Sequence, residues 1–116
     1  MVLVKNIKNV VKIIKKMKYN KLVRDKIPEY VIKKGGIPVT HIASDEEYWQ
    51  KLKEKLSEEV KEFTDDETIE EIADIQEVIE AICEYKKFNN KDIEIIKNKK
   101  VEERGAFRNK IILEES

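Results

Sequence analysis

The amino-acid sequence predicts an all-α fold: a helical bundle built on a long antiparallel helix hairpin, with short flanking helices and at most one short extended segment. Three observations predict it. The composition, with only three Gly and two Pro in 116 residues and abundant Ile, Lys and Glu, suits helices better than a sandwich or barrel. Apolar residues recur at helical spacing through residues 45–63 and again through 68–85, the mark of two amphipathic helices. Between these segments the turn is so short that the helices must run antiparallel. At this length one domain with a single modest core is expected.

Residues 1–18 come first as a basic amphipathic extension to the domain expected over residues 19–116. Leu3, Ile7, Val10, Ile14 and Met17 repeat at alternating four and three residues, with Lys5, Lys8, Lys12, Lys15 and Lys16 on the other faces, which predicts a helix. It is too short and too charged to span a membrane and lacks the apolar run of a signal peptide. Packing on its own domain or on a partner subunit is the stronger reading. A membrane-surface or nucleic-acid role is the weaker one, and no Trp or Phe in the segment supports a membrane anchor,.

Residues 19–36 hold a short helix, with Asp25 as its expected N-cap, Pro28 and Glu29 in its first turn and Gly35-Gly36 as its stop,. Residues 37–42 read as a short extended stretch around Pro38, Val39 and Thr40,. His41 stands alone there, with no second His or Cys at metal-ligand spacing, so zinc sites and the Glu-x-x-His pattern of di-iron bundles are disfavoured,. Ser44 with Glu47 predicts a capping box for the first long helix, and Thr64 with Glu67 another for the second,. A further helix is expected over residues 92–104, ending at Gly105, with Lys97, Lys100 and Arg104 sharing a face with Ile93 and Ile96. Such lysines ordinarily snorkel into solvent, and phosphate binding is the alternative. The lone Cys83 lies on an apolar arc, which predicts a buried inert thiol and no disulfide framework,. A reducing, cytoplasmic setting follows as an expectation.

Helical phase singles out four acids. Stepping about 100° per residue, the first long helix has an apolar arc of Tyr48, Trp49, Leu52, Leu56, Val60 and Phe63, with Glu59 inside it and Glu62 at its edge. The second has Ile69, Ile72, Ile75, Val78, Ile79, Ile82 and Cys83, with Glu71 inside and Asp74 just off its margin. Each pair is spaced i,i+3, so its side chains lie one turn apart on one face. In an antiparallel hairpin the end of one helix lies beside the start of the next, so the two pairs face each other. An acid-rich chain places some carboxylates inward by chance, but two pairs on successive helices favour a site. Carboxylates are costly to bury unless compensated, and a divalent cation compensates several at once.

Charge is segregated although the formal net is zero. Residues 1–36 carry eleven Lys or Arg against two acids, a net +9; residues 45–85 carry four Lys against sixteen acids, a net −12; residues 86–116 carry nine against six, a net +3. Most of these charges belong to an ordinary solvated surface. Yet an acidic, metal-filled hairpin flanked by basic segments suits a polyphosphate, whose charge the cation and the basic side chains can share.

Three blocks then resemble a known superfamily. Tyr19-Asn20-Lys21-Leu22-Val23-Arg24-Asp25-Lys26-Ile27-Pro28-Glu29 opens the chain's domain. Lys55-Leu56-Ser57-Glu58-Glu59-Val60-Lys61-Glu62 followed by Glu71-Ile72-Ala73-Asp74 resembles an E-E-x-x-E and E-x-x-D signature, and Lys100 with Arg104-Gly105-Ala106-Phe107 a closing K-x-x-x-R-G-x-F element. In this order they resemble the all-α nucleoside triphosphate pyrophosphohydrolases, the MazG-like superfamily, and within it the phosphoribosyl-ATP pyrophosphohydrolase-like subgroup. The spacer between the two acidic blocks is shorter than in many MazG proteins. The resemblance begins near Tyr19, and it implies that Met17 lies near the ancestral start and that residues 1–16 are an extension or reflect a mis-chosen start.

The resemblance implies Mg²⁺-assisted cleavage between the α- and β-phosphates of a nucleoside triphosphate, giving the monophosphate and pyrophosphate, in a house-cleaning role on non-standard or surplus nucleotides. Glu59, Glu62, Glu71 and Asp74 would hold Mg²⁺, or Mn²⁺ in its place, and act in catalysis, with one carboxylate or a metal-bound hydroxide taking the proton of the attacking water. Glu58 ranks lower, for an outer or base role. Arg24, Lys26, Lys55, Lys100 and Arg104 would hold the triphosphate, with Lys21 and Asn20 weaker candidates. No phosphate-cradling Gly loop is visible, so a P-loop enzyme is disfavoured. Two alternatives stand beside this reading: phosphoribosyl-ATP pyrophosphohydrolase in histidine synthesis, and a non-enzymatic helical interaction module. Trp49, Phe63 and the stripe from Leu3 to Met17 need cover, which predicts a homodimer or higher homo-oligomer.

Overall fold

A computed structural model describes residues 20–116, and among them the fold is all-helical with no strand. Four helices follow one another: α1 (Ile27–Lys33), α2 (Asp45–Asp66), α3 (Ile69–Lys86) and α4 (Asn90–Arg104). The basic segment 1–18, with its amphipathic stripe and Met17, lies outside the described residues. The described residues divide into two compact units, with the boundary between Ile82 and Cys83, inside α3.

In the first unit, α1 begins with Pro28 in its first turn, where a missing N–H costs nothing,. Asp25 is not its cap: the N-cap is Lys26, which makes no side-chain capping bond, and the helix is instead entered through a backbone turn in which Ile27 N donates to Arg24 O at 3.0 Å. The C-terminus is as expected. Gly36 N donates to Val31 O at 2.9 Å and Gly35 N to Ile32 O at 3.0 Å, with Gly35 at φ +85°. That pair of bonds is the Schellman closure, and its left-handed residue favours glycine. Val31 is the buried residue of α1, which packs closely on α2. The following residues 37–42 join no sheet, and Ile37, Val39 and Ile42 are exposed.

The long hairpin is α2 and α3. Ser44 caps α2 as its sequence signature requires, its Oγ accepting from Glu47 N at 3.2 Å. The second capping box is displaced by one helical turn. Thr64 lies inside α2, where its Oγ1 donates to Val60 O at 3.0 Å, and Thr68 does the capping, its Oγ1 accepting from Glu71 N at 3.4 Å. Both threonines have Glu three residues on; Thr64 takes the back-bonding option open to a hydroxyl within a helix. Glu67, at φ +26°, and Thr68 alone link the helices. Thr68→Ala should therefore cost about 1 kcal/mol, whereas Thr64→Ala should cost under about 0.5 kcal/mol; denaturant unfolding of the two variants separates the caps.

The hairpin's seam is narrower than the apolar arcs. Leu52 and Val78 are its buried apolar residues, with Leu56, Phe63, Ile75 and Ile82 half-buried. Val60, Ile72 and Ile79 are exposed, and Ile69 is 80% exposed. Glu59 and Glu71 sit deeper than these aliphatic neighbours, at 6% and 1% exposure. Cys83, expected to be buried, is half-buried.

In the second unit, α4 starts two residues earlier than its sequence reading because Asn89 caps it: Asn89 Oδ1 accepts from Lys91 N at 2.7 Å. Gly105 ends it at φ +86°, its N–H bonded to Val101 O at 2.8 Å. Lys97, Lys100 and Arg104 are exposed on it, as is Ile96, and Ile93 is half-buried.

Candidate metal centre

Each inward carboxylate reaches its place for a local reason. Glu71 is the third residue of α3, held at the capped start of that helix by the Thr68 hydroxyl. There the partial positive charge of the helix N-terminus favours an anion. Asp74 follows one turn on. Glu59 comes from the interior of α2, so neither end of its own helix compensates it. Its partner is Lys55, one turn earlier, with Nζ 3.5 Å from Glu59 Oε1.

Glu59, Glu71 and Asp74 converge: one carboxylate oxygen from each lies within 4.8 Å of the others. Three of the four expected acids are thus brought together. Glu62, the fourth, lies outside that group of oxygens, although its charge still acts on Glu59. It stands one turn beyond Glu59 at the margin of the seam, half-buried. Glu58 also lies outside that group of oxygens. It accepts a hydrogen bond from Lys21 Nζ at 2.7 Å and has Lys55 Nζ at 3.7 Å.

The electrostatics are those of a site short of positive charge. Burial, above all, and then the neighbouring charge of Glu62 push the Glu59 carboxyl up to about 7; Lys55 pulls it down, and Asp74 and Glu58 push it further up,. Glu59 Oε2 is buried and accepts no hydrogen bond among the described residues. An oxygen acceptor so placed normally costs stability. The donor set is all carboxylate, which suits hard cations. Octahedral Mg²⁺ binds oxygens at about 2.0–2.1 Å, so ligand oxygens opposite each other lie about 4 Å apart, and the cluster needs only small side-chain movements to meet that span. The residues present therefore fit Mg²⁺ or Mn²⁺.

Among the expected phosphate-binding residues, three lie at this cluster's border. Lys55 pairs with Glu58 and Glu59, Lys21 with Glu58, and Arg24 Nη2 donates to Asp74 Oδ1 at 2.9 Å. Lys26 is exposed at the start of α1, and Asn20 is exposed at φ +46°. Lys100 and Arg104 belong to the second unit. His41 takes no part: its Nε2 lies 2.9 Å from Glu47 Oε1, on an exposed surface. Sequence reasoning missed that Lys21 and Arg24 pair with the hairpin acids themselves. Those pairs join residues 37 and 50 positions apart, and no local periodicity reports on them. Thr68 was also missed, although Thr68 with Glu71 carries the same capping signature as Thr64 with Glu67.

No family model matches the chain, and no solved structure matches it. An uncharacterized protein of Mycolicibacterium smegmatis is similar to it, 52% identical over 42 residues, which is 36% of this chain and 43% of that protein. The match spans less than half of the relative's length.

Proposed function

We propose that this protein is a Mg²⁺-dependent nucleoside triphosphate pyrophosphohydrolase, cleaving the α–β phosphate bond to give the monophosphate and pyrophosphate, with house-cleaning of non-standard or surplus nucleotides as its role. The observation that carries the reading is the convergence of buried Glu59 and Glu71 with half-buried Asp74 in an all-oxygen cluster. The resemblance of the three sequence blocks to the MazG-like superfamily points to the same chemistry.

Glu59, Glu71 and Asp74 would hold the cation, with Glu62 completing the acidic rim. Bound there, Mg²⁺ supplies neutralisation of phosphate charge and polarisation of the scissile phosphoryl group. The protein's own residues do the rest. Lys55, Lys21 and Arg24 offer positive charge to the non-bridging oxygens of the triphosphate and to the leaving pyrophosphate. A carboxylate of the cluster would take the proton of the attacking water. Lys26, Lys100 and Arg104 remain proposed substrate contacts.

Incubation with a panel of standard and modified triphosphates plus Mg²⁺, with pyrophosphate as the readout, tests the proposal. Release of pyrophosphate and monophosphate in equal amounts is expected. Turnover of none of them, together with no divalent-ion binding by calorimetry, would favour the helical interaction module. The exposed Val60, Ile72 and Ile79 on the hairpin support the further proposal of a homodimer or higher homo-oligomer. No helix among the described residues is long and apolar enough to cross a membrane. Complementation of a strain lacking phosphoribosyl-ATP pyrophosphohydrolase tests that narrower substrate.

A further inference from the structure

The segment leading into α1 is pinned to both helices of the hairpin. Lys21 Nζ bonds Glu58 Oε1 on α2 at 2.7 Å, and Arg24 Nη2 bonds Asp74 Oδ1 on α3 at 2.9 Å. Three residues of extended chain span about 10 Å, close to the 8–10 Å between packed helix axes. The segment is thus tied by side chains to both helices, and on α3 to Asp74 of the carboxylate cluster. Its far end is fixed by the turn from Arg24 O to Ile27 N and by buried Val31 of α1.

Arg24 differs from an ordinary surface ion-pair partner in what it holds. Asp74 is one of the three residues whose oxygens converge, so the guanidinium is bonded directly to a member of the candidate cation site. The Arg24 side chain is itself 57% exposed, so it can leave Asp74 by rotating into solvent without opening any core. Lys55 makes the corresponding contact to Glu59, but from within the same helix and with far less exposure. Arg24 is the more movable of the two.

Resting on the metal-dependent reading above, we propose that Arg24 is a resident counter-cation of the site. It holds Asp74 when no metal is bound, gives it up when a divalent cation arrives, and then turns its planar fork to the phosphates of the substrate. Cation loading and phosphate capture are thereby linked through one side chain, and the site carries a compensating positive charge in both states. A guanidinium suits the exchange because it pairs equally well with carboxylate and with phosphate.

Arg24→Gln separates this role from its rivals through the sign of its effect. Calorimetric titration with Mn²⁺ alone, at pH 8 and without nucleotide, should show binding about 3-fold tighter or more than in the wild type, because no guanidinium competes for Asp74. KM for a triphosphate that the wild type turns over should rise in the same variant. Lys34→Gln, which removes an exposed positive charge at the end of α1, should leave Mn²⁺ affinity within twofold and so controls for general electrostatics. Unchanged or weakened Mn²⁺ binding by Arg24→Gln overturns the proposal, since the arginine would then support the bound ion rather than exchange with it. Tighter Mn²⁺ binding with an unaltered KM overturns the transfer to phosphate. Failure of the wild type itself to bind Mn²⁺ overturns the metal-site reading beneath it, an outcome distinct from both.

Discussion

Glu71→Gln should reduce Mg²⁺-dependent pyrophosphate release at least about 100-fold while raising the thermal midpoint of the metal-free protein. Changes one shell out from a metal already cost about 10- to 100-fold, so loss of a direct carboxylate ligand belongs at or beyond the top of that range. The stability effect has the opposite sign. Glu71 is 1% exposed and has two further acids at hand; an amide of the same shape removes one like charge from that group and keeps the packing. A gain of about 1 kcal/mol would lift the midpoint by roughly 4 °C. Asp74→Asn should likewise lose activity, though it also weakens the contact with Arg24. Circular dichroism melts beside the pyrophosphate assay read both signs together. A Glu71→Gln enzyme with near-normal turnover would sink the carboxylate assignment, and one that is inactive because it is unfolded would show a lowered midpoint instead.

The second large effect concerns pH, and it comes from Glu59, whose carboxyl is raised from 4.5 to about 7. Below about pH 4.5 the group is protonated in both folded and unfolded chains and contributes nothing,. Between 4.5 and 7 the unfolded chain releases its proton while the folded chain keeps it. The native state binds more protons in that window, so this group's contribution to stability falls as pH rises through it and is flat above. The full loss is about 3 kcal/mol, at 1.36 kcal/mol for each unit of the raised pKa,. Denaturant unfolding of metal-free wild type and Glu59→Gln isolates it: the difference between the two should widen from pH 4.5 to 7 in favour of the variant. The cation should show the mirror image. On the proposed ligand set the cation displaces the Glu59 proton, so the Mn²⁺ association constant should climb about tenfold per pH unit up to about pH 7 and then level off,. An affinity independent of pH across this range removes Glu59 from the ligand set.

The four helices were legible because local signals agree with the fold. Ser44, Pro28, Gly35 and Gly105 each stop or start a helix through bonds that depend on the chain immediately around them. The depth of Glu59 and Glu71 was legible from phase. What the sequence could not convey was competition between equal signals and contact at long range. Thr64 and Thr68 present the same signature, and nothing local in the sequence selects between them. Ile69, Ile72 and Ile79 count toward an apolar arc as fully as Val78 does, yet only Val78 is buried, because periodicity reports polarity and not the presence of a neighbour. Glu62 lies outside the cluster, although its i,i+3 spacing gives it the same local signature as Glu59. The pairing of Arg24 with Asp74 joins residues 50 apart and left no trace in any local pattern.

The connection between α2 and α3, Glu67 and Thr68 alone, also bears on how the site assembles. Glu59 and Glu71 meet across a chain loop of about a dozen residues, almost all of it helix, so the entropy lost in closing it is small. Contacts this local form on the fast end of the folding scale. The carboxylate cluster thus rests on contacts close together in the chain, and holding its three members side by side costs little chain entropy beyond that of forming the hairpin itself,.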